Sequence, residues 1–529
     1  MARAGPPTLA PEETELKLRI APEALARLAR HPLLKPLRRA RSRTTTLVST
    51  YFDTADESLA RAGVALRLRR DGKRWVQTVK GPRDGAHGAG LSTRTEFEWP
   101  VAGRALDPLR FAVTPFRREL GKAQRHGVVP RYTTEIRRTT IPLAFPDSTH
   151  ALLCIDTGEV RTEGDGPRLR APIHEIEIEL EAGDPARLFE LAHALAGDVP
   201  LALEPLSKAE RGFALRHPVT PAPVRAKDAA LPAKMAAGAA IAAIIRNCLA
   251  QIEANASGLL TDDDPEWTHQ MRIGVRRLRA CLSLARRGFA TARVEPVRVE
   301  LRWLAHALGP ARDFDVFSTQ TLPAFRAAVT RGSDAAPLDP ALRALATRAA
   351  ARRREARVAA RAAVASPRFL RLVLAAGALA AAPGVDVPEG DAQALERPAR
   401  EFARPLLKRR HRALLALGTN LAHAAPEARH AARLAAKKLR YAAEFFAPLF
   451  AKKRTRSYLK ALAALQEELG AWNDAAVAAQ LAGELAGADA PAAAAFSGWA
   501  AALGSARAGA LDTTWQAFSD ARPFWAKAR

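Results

Sequence analysis

HEIEIEL occupies residues 174–180. Its acids and aliphatics alternate strictly, and side chains two apart in a strand share a face. Glu175, Glu177 and Glu179 therefore point one way, and Ile176, Ile178 and Leu180 the other. The same period of two recurs in TELKLRI (14–20), GVALRLRR (63–70), RWVQTVKG (74–81), RTEFEWP (94–100), TEIRRTTI (134–141) and ALLCIDTGEV (151–160). It predicts a mostly β domain of antiparallel strands up to about residue 215, with helices near 22–31 and 185–196. On one strand, a charged face is ordinary solvated surface. Here four strands carry acid and base at the same spacing: Glu13, Glu15, Lys17 and Arg19; Arg67 and Arg69; Arg94, Glu96 and Glu98; and the three glutamates of HEIEIEL. A sheet curved into a barrel encloses such faces in a lumen. Carboxylates gathered there suit a hard divalent cation, while arginine and lysine suit phosphate oxygens. Together they describe a site for a metal-bound phosphate chain.

Beyond this domain, RHPVTPAPVRAKDAALPAK (216–234) is rich in proline and poor in bulky apolar residues, which marks a linker. From residue 235 on, Ala, Leu and Arg recur with a period near 3.6, which predicts an all-α domain. This half repeats itself. HQMRIGVRRLRA (269–280) returns as HAARLAAKKLRY (430–441), and LGPARDFDV (308–316) returns as LGAWNDAAV (469–477). His269 and His430 are 161 residues apart, and so are Asp313 and Asp474. Two motifs holding one register imply duplicated, pseudo-twofold halves at about 235–382 and 399–529.

Positions i, i+3, i+7 and i+10 fall on one helix face. His269, Arg272, Arg276 and Arg279 occupy that set in the first copy, with Arg277 beside them. His430, Arg433, Lys437 and Arg440 occupy it in the second, with Lys438 beside them. Met271, Val275 and Leu278, and in the second copy Leu434 and Leu439, are the core candidates. The histidines have no His or Cys partner at i+4 and no nearby carboxylate pair, which disfavours a metal there. Asp313 and Asp474 read as locks on an arginine or as helix caps.

A chain of 529 residues implies two to four domains. Its net charge of +26 suits a polyanionic partner. Aromatic residues are only 6% of the chain and avoid the basic stripes, whereas single-strand nucleic-acid modules add stacking aromatics. Nucleic acid is therefore disfavoured. Cys154, Cys248 and Cys281 are odd in number and set in apolar runs, so they read as buried reduced thiols. The N-terminal stretch lacks an apolar signal region, and the longest apolar run, about 372–383, is too short for a bilayer. A soluble cytoplasmic protein without membrane segments is expected.

The E-x-E-x-K of Glu13, Glu15 and Lys17 resembles the signature of the CYTH superfamily. The resemblance continues in order through LRLRR (66–70), Lys80, RTEFE (94–98), Arg137–Arg138, Asp156, EIEIE (175–179) and SKAERG (207–212). It implies a triphosphate tunnel, an eight-stranded antiparallel barrel that hydrolyses triphosphate compounds with Mg²⁺ or Mn²⁺. By the same resemblance, Glu13, Glu15 and Lys17 are catalytic, and the metal ligands are Glu13, Glu15, Asp156, Glu175, Glu177 and Glu179. The implied phosphate-binding set is Arg67, Arg69, Lys80, Arg94, Arg138 and Lys208. Arg138 is preferred over Arg137 because the two point to opposite faces.

The second half resembles the CHAD domain, the conserved histidine α-helical domain, through H-x-x-R-x-x-x-[RK]-[RK]-L-R and LG-x-x-RD-x-x-V. It departs from the pattern where Asn473 replaces Arg312 and Lys437–Lys438 replaces Arg276–Arg277. This resemblance implies two pseudo-symmetric four-helix bundles whose basic helices bind inorganic polyphosphate. The expected whole is an α+β multidomain chain: a barrel domain (1–215), a linker (216–234) and a helical domain (235–529). Its expected activity is that of an inorganic triphosphatase, associated with polyphosphate and with polyphosphate granules. The alternatives are a granule-binding protein with little activity, a class IV adenylate cyclase and a nucleic-acid binder.

Overall fold

The alternating segments form strands β1 (Glu12–Ile20), β2 (Arg43–Asp53), β3 (Ala65–Asp71), β4 (Arg74–Arg83), β5 (Leu91–Val101), β6 (Val129–Ala144), β7 (His150–Thr162) and β8 (Arg170–Ala182). In this computed structural model the described residues are 12–83, 88–164, 167–218, 220–286, 289–330, 339–384, 387–418, 420–486 and 490–526. The N-terminal stretch read for a signal lies, over residues 1–11, outside them. Every neighbouring pair of strands is antiparallel, in the order β5-β4-β3-β2-β6-β7-β8-β1. Strand β1 then pairs back onto β5, with Glu13 opposite Arg94, and closes the barrel. A short β9 (Leu201–Leu203) continues that pairing on Leu18–Ile20.

Register places opposite charges directly across from each other. Lys17 faces Glu177, Lys80 faces Glu96, and Arg138 faces Asp156. Seven of the eight barrel strands follow the alternation read from sequence. Strand β2 does not, because RTTTLVSTYFD mixes hydroxyl and apolar side chains on both faces. Its β-branched content suits the pleated sheet all the same. Outside the lumen, Leu16, Leu18, Ile176 and Ile178 are wholly buried. Each contributes at most about 1.5–3 kcal/mol relative to exposure.

Two helices follow the barrel strands. Helix α1 (Ala186–Leu195) buries Leu188, Phe189 and Leu195. Helix α2 (Lys208–Arg216) opens with a capping box: the Ser207 hydroxyl accepts from the Glu210 amide, and the Glu210 carboxylate accepts from the Ser207 amide. The box fixes Lys208 at the first helical position. A Cβ on Gly212 would stand 2.2 Å from the Tyr132 ring, so glycine is what lets α2 lie this close to β6.

The second half is helical: α3 (Ala237–Thr261), α4 (Pro265–Leu284), α5 (Thr291–Val316), α6 (Asp339–Ala365), α7 (Pro367–Ala381), α8 (Ala399–Leu415), α9 (Pro426–Phe446), α10 (Lys452–Ala486), α11 (Ala490–Ala506) and α12 (Ala508–Ser519). The duplication is visible in where helices start. Pro265 and Pro426 open α4 and α9, and Thr291 and Lys452 open α5 and α10; both pairs keep the 161-residue offset. Met271, Val275, Leu278 and Leu439 are core residues, but Leu434 is exposed. No single helix among the described residues is long and apolar enough to cross a membrane.

The chain forms two units, Met1–Ala222 with Pro367–Ala382, and Pro223–Ser366 with Pro383–Arg529. This division corrects two sequence boundaries. Most of the expected linker belongs to the helical unit: Asn255 bonds both backbone polar groups of Val224, and Arg277 donates to the Lys227 carbonyl. Helix α7, expected in the first helical half, belongs to the barrel unit and packs on α1 and β9. Its apolar period is that of any bundle helix, so periodicity could not assign it.

Candidate active site

The barrel encloses a cavity of about 480 Å³. Glu13, Glu15 and Lys17 reach it from β1, Arg67 and Arg69 from β3, and Lys80 from β4. Arg94, Glu96 and Glu98 come from β5, Arg138 from β6, Asp156 from β7, Glu177 and Glu179 from β8, and Lys208 from α2. Arg137 and Arg19 are exposed outside it. Glu175 does not line the cavity; it is wholly buried behind Lys208 and Arg211.

The carboxylates fall into two groups with different surroundings. Asp156, Glu175 and Glu177 form a buried trio, of which Asp156 and Glu177 reach the cavity wall. Lys208 Nζ lies 2.7 Å from Asp156 and 2.9 Å from Glu177, and bonds Glu175 as well. Arg138 grips Asp156 with two hydrogen bonds of 2.8 and 2.7 Å and also meets Glu177. Lys17 is 2.8 Å from Glu177, and Arg211 is 2.8 Å from Glu175. Burial pushes the Glu177 pKa up, but Lys17, Lys208 and Arg138 outweigh it and hold the group well below the usual carboxylate range. These acids hold cations, which is what buried charge requires, and their oxygens also lie within 4.8 Å of one another, as a metal site would need.

The second group faces the cavity. Glu13, Glu15 and Glu179 each bring one oxygen within 4.8 Å of the others. Burial pushes the Glu179 pKa up to about 7; Arg138, 3.0 Å away, opposes this, while Glu177, Glu13 and Glu15 add to it. Negative charge is thus in local excess. Three hard oxygen donors with excess charge, open to a cavity, fit a divalent ion of the Mg²⁺ or Mn²⁺ kind.

Glu13 and Glu96 are pushed in opposite directions. Burial raises Glu96 to about 8 against Lys80 and Arg67, helped by its hydrogen bond with Glu13. Glu13 is instead lowered to about 2, because Lys80 and that same bond overcome its burial. Lys80 sits 2.5 Å from Glu13 and 2.9 Å from Glu96. Arg67 lies 3.3 Å from Glu96 and 3.2 Å from Glu98, and Arg69 lies 3.0 Å from Glu98. Arg94 pairs with Glu210 of the capping box at 3.1 Å.

Sequence reasoning missed Arg41 and Arg43, which line the same cavity from just before β2 and from its first residue, and Arg211, which anchors Glu175. The first two were readable from their i, i+2 spacing, had β2 been recognised. Arg211 carries no such signal, because its partner is set by where α2 docks.

In the helical unit, α4 and α9 pack together and bring the two basic copies face to face. Arg272 donates to the Gly309 carbonyl at 2.6 Å and lies 3.6 Å from Asp313. Arg433 donates to Asn473 at 2.9 Å and lies 3.6 Å from Asp474. The two aspartates therefore serve equivalent arginines. Arg276 lies over Tyr441 of the other copy, 5.9 Å from its centroid. Burial lowers Lys437 to about 7, and Arg276, Arg433 and Arg272 add to the drop while Asp474 opposes it. His269 is half-buried, and His430, Lys438 and Arg279 are exposed. Arg440 turns to Glu444 and Gln466. Arg277 is not on the shared face. It is 6% exposed, bonded to Gln251, Asn247 and the Lys227 carbonyl, and lies over Phe445.

A CYTH domain model matches residues 11–213, and a CHAD domain model matches residues 243–483. The chain contains a CYTH domain and a CHAD domain. The barrel is its CYTH domain, and the basic helices lie in its CHAD domain. The inorganic triphosphatase of Haemophilus influenzae is 28% identical over 207 residues, which cover 39% of this chain and 55% of that protein. The chain thus spans about half the length of that curated relative. Among solved structures, the CHAD domain from the plant Ricinus communis is 36% identical, with 57% of this chain and 98% of that one covered at a TM-score of 0.49. PptA from Streptomyces chartreusis is 22% identical (54% and 99% covered, TM-score 0.38). A Hippeastrum protein described as having a dominant triphosphatase activity is 20% identical (39% and 97% covered, TM-score 0.28).

Proposed function

We propose that the CYTH domain hydrolyses inorganic triphosphate with a divalent metal, and that the CHAD domain binds polyphosphate. The observation that carries the first part is the convergence in one cavity of Lys17, Arg67, Arg69, Lys80, Arg138 and Lys208 with the open trio of Glu13, Glu15 and Glu179. Six cations match the charge of a phosphate chain. A divalent ion held by Glu13, Glu15 and Glu179 would neutralise phosphate oxygens and favour cleavage of a terminal phosphoanhydride bond. Lys17 and Arg138 are already fixed by carboxylates, so they meet substrate charge without reorganising. The buried trio of Asp156, Glu175 and Glu177 keeps Lys208, Lys17 and Arg138 aimed inward. A water, rather than a ribose hydroxyl, is the attacking group in this reading.

The support for the second part is the pairing of α4 with α9, which sets Arg272 and Arg276 beside Arg433 and Lys437. A chain of phosphates has charge and no bases, so it needs no stacking aromatics. We place the protein in the cytoplasm, with polyphosphate granules as the destination of this face.

Phosphate release from tripolyphosphate, long polyphosphate, ATP and thiamine triphosphate, each with Mg²⁺ or Mn²⁺, tests the first part. Release from tripolyphosphate that Glu13→Ala abolishes is expected. Cyclic AMP formed from ATP would identify a cyclase instead. For the second part, polyphosphate should displace RNA at equal phosphate concentration, and Arg276→Glu should weaken polyphosphate binding while leaving tripolyphosphate hydrolysis nearly intact.

A further inference from the structure

Helix α7 meets the turn that leads into β5. A Cβ placed on Gly377 would stand 2.6 Å from the Cβ of Ala89 and 2.4 Å from the Phe189 ring. The helix therefore lies directly on Ala89, with no room for a side chain between them. Ala89 is wholly buried, and its φ of 60° is left-handed. Gly90 follows at φ 77°, and a Cβ there would stand 2.9 Å from the Lys17 carbonyl oxygen. The Gly90 carbonyl accepts a hydrogen bond from the Lys17 amide at 3.1 Å. Two left-handed residues in succession are thus wedged between α7 and the backbone of Lys17. Alanine is disfavoured in that conformation, so the surroundings must hold it there.

We infer that α7 is a positioning element of the CYTH cavity: Gly377, pressing on Ala89, fixes the Gly90–Lys17 backbone contact and so the place of the Lys17 ammonium. Gly377 and Ala89 are positioning residues, since neither touches the cavity. The inference deepens the catalytic reading of the cavity and rests on it for the role of Lys17. It goes beyond ordinary packing because the contact is made by a segment that follows the barrel by some 150 residues. The residues flanking it on both sides, up to Ser366 and from Pro383, belong to the helical unit. Substitutions that disturb α7 should therefore be felt at Lys17.

The test changes one methyl group at this contact, from either side, in the full chain. Ala89→Gly removes the methyl and relieves the left-handed strain, so folding is retained. Gly377→Ala adds a methyl on the other side, against both Ala89 and the Phe189 ring. Amide hydrogen exchange at Lys17, without substrate, should quicken about tenfold in Ala89→Gly. The kcat for tripolyphosphate should fall severalfold with KM little changed, as expected for a displaced catalytic group. Gly377→Ala should disturb the same two readouts. Unchanged exchange and kcat in Ala89→Gly overturn the inference, as does a folded Gly377→Ala chain with both readouts unchanged. Exchange is measured without turnover, so a wild type releasing no phosphate would defeat the catalytic reading while leaving the structural link testable.

Discussion

Asp156 and Glu179 are acids of one wall with opposite assignments. Asp156 is wholly buried between Arg138 and Lys208, so Asp156→Asn leaves two cations short of a partner. A loss of about 3–5 kcal/mol in folding stability is expected, read from thermal or denaturant unfolding. Glu179→Gln removes charge from an already crowded trio. It should leave the melting temperature close to wild type and abolish the shift that Mg²⁺ or Mn²⁺ produces. Lys437 gives a pH signature in the other domain. Its pKa is lowered to about 7 by burial and by Arg276, Arg433 and Arg272 against Asp474. Bound phosphates favour the charged lysine, so binding above pH 7 takes up a proton. Polyphosphate affinity should then fall between pH 7 and 9, with calorimetry in two buffers reporting the uptake, and Lys437→Met should flatten the slope. Without ligand the linkage has the opposite sign. The unfolded lysine keeps its proton up to about 10.5, so this group makes the folded state gain stability as pH rises through 7.

At the scale of elements, the lumen was legible because strand geometry is strict. Once Glu175, Glu177 and Glu179 share a face, register alone brings Lys17 opposite Glu177. What strands could not reveal was which acids stay open, since that depends on Lys208 and Arg211 arriving from α2. Helix faces are less strict. Arg276 and Arg277 are neighbours in sequence, yet a 100° turn sends one to the shared face and the other to Gln251 and Asn247. The repeated aspartates were readable as locks, and each lies 3.6 Å from its arginine. Both are partly exposed, so each pair is worth about 0–1 kcal/mol. Asp474→Asn should therefore cost little stability, and it should tighten polyphosphate binding by removing a like charge from the groove, as a filter-binding titration would report.

At the scale of the whole molecule, the division into domains was half legible. The change from period two to period 3.6 marks where the barrel ends and the helices begin, but α7 obeys the second rule while belonging to the first unit. Its Phe369, Leu372, Val373, Ala376 and Ala380 are buried there. A fragment ending at Ala222 should expose the face that α7 covers. It should melt below, and aggregate more readily than, the same fragment carrying residues 367–382 on a flexible linker.

The return of α7 to the barrel also sets a schedule for synthesis. Strands and helices up to Arg216 leave the ribosome first, and the segment that completes their unit follows some 150 residues later. At about 5–20 residues per second the nascent barrel waits roughly 8–30 s with an apolar face uncovered. During that interval the nascent chain is a client for chaperones, and a pause placed between residues 216 and 367 would lengthen it.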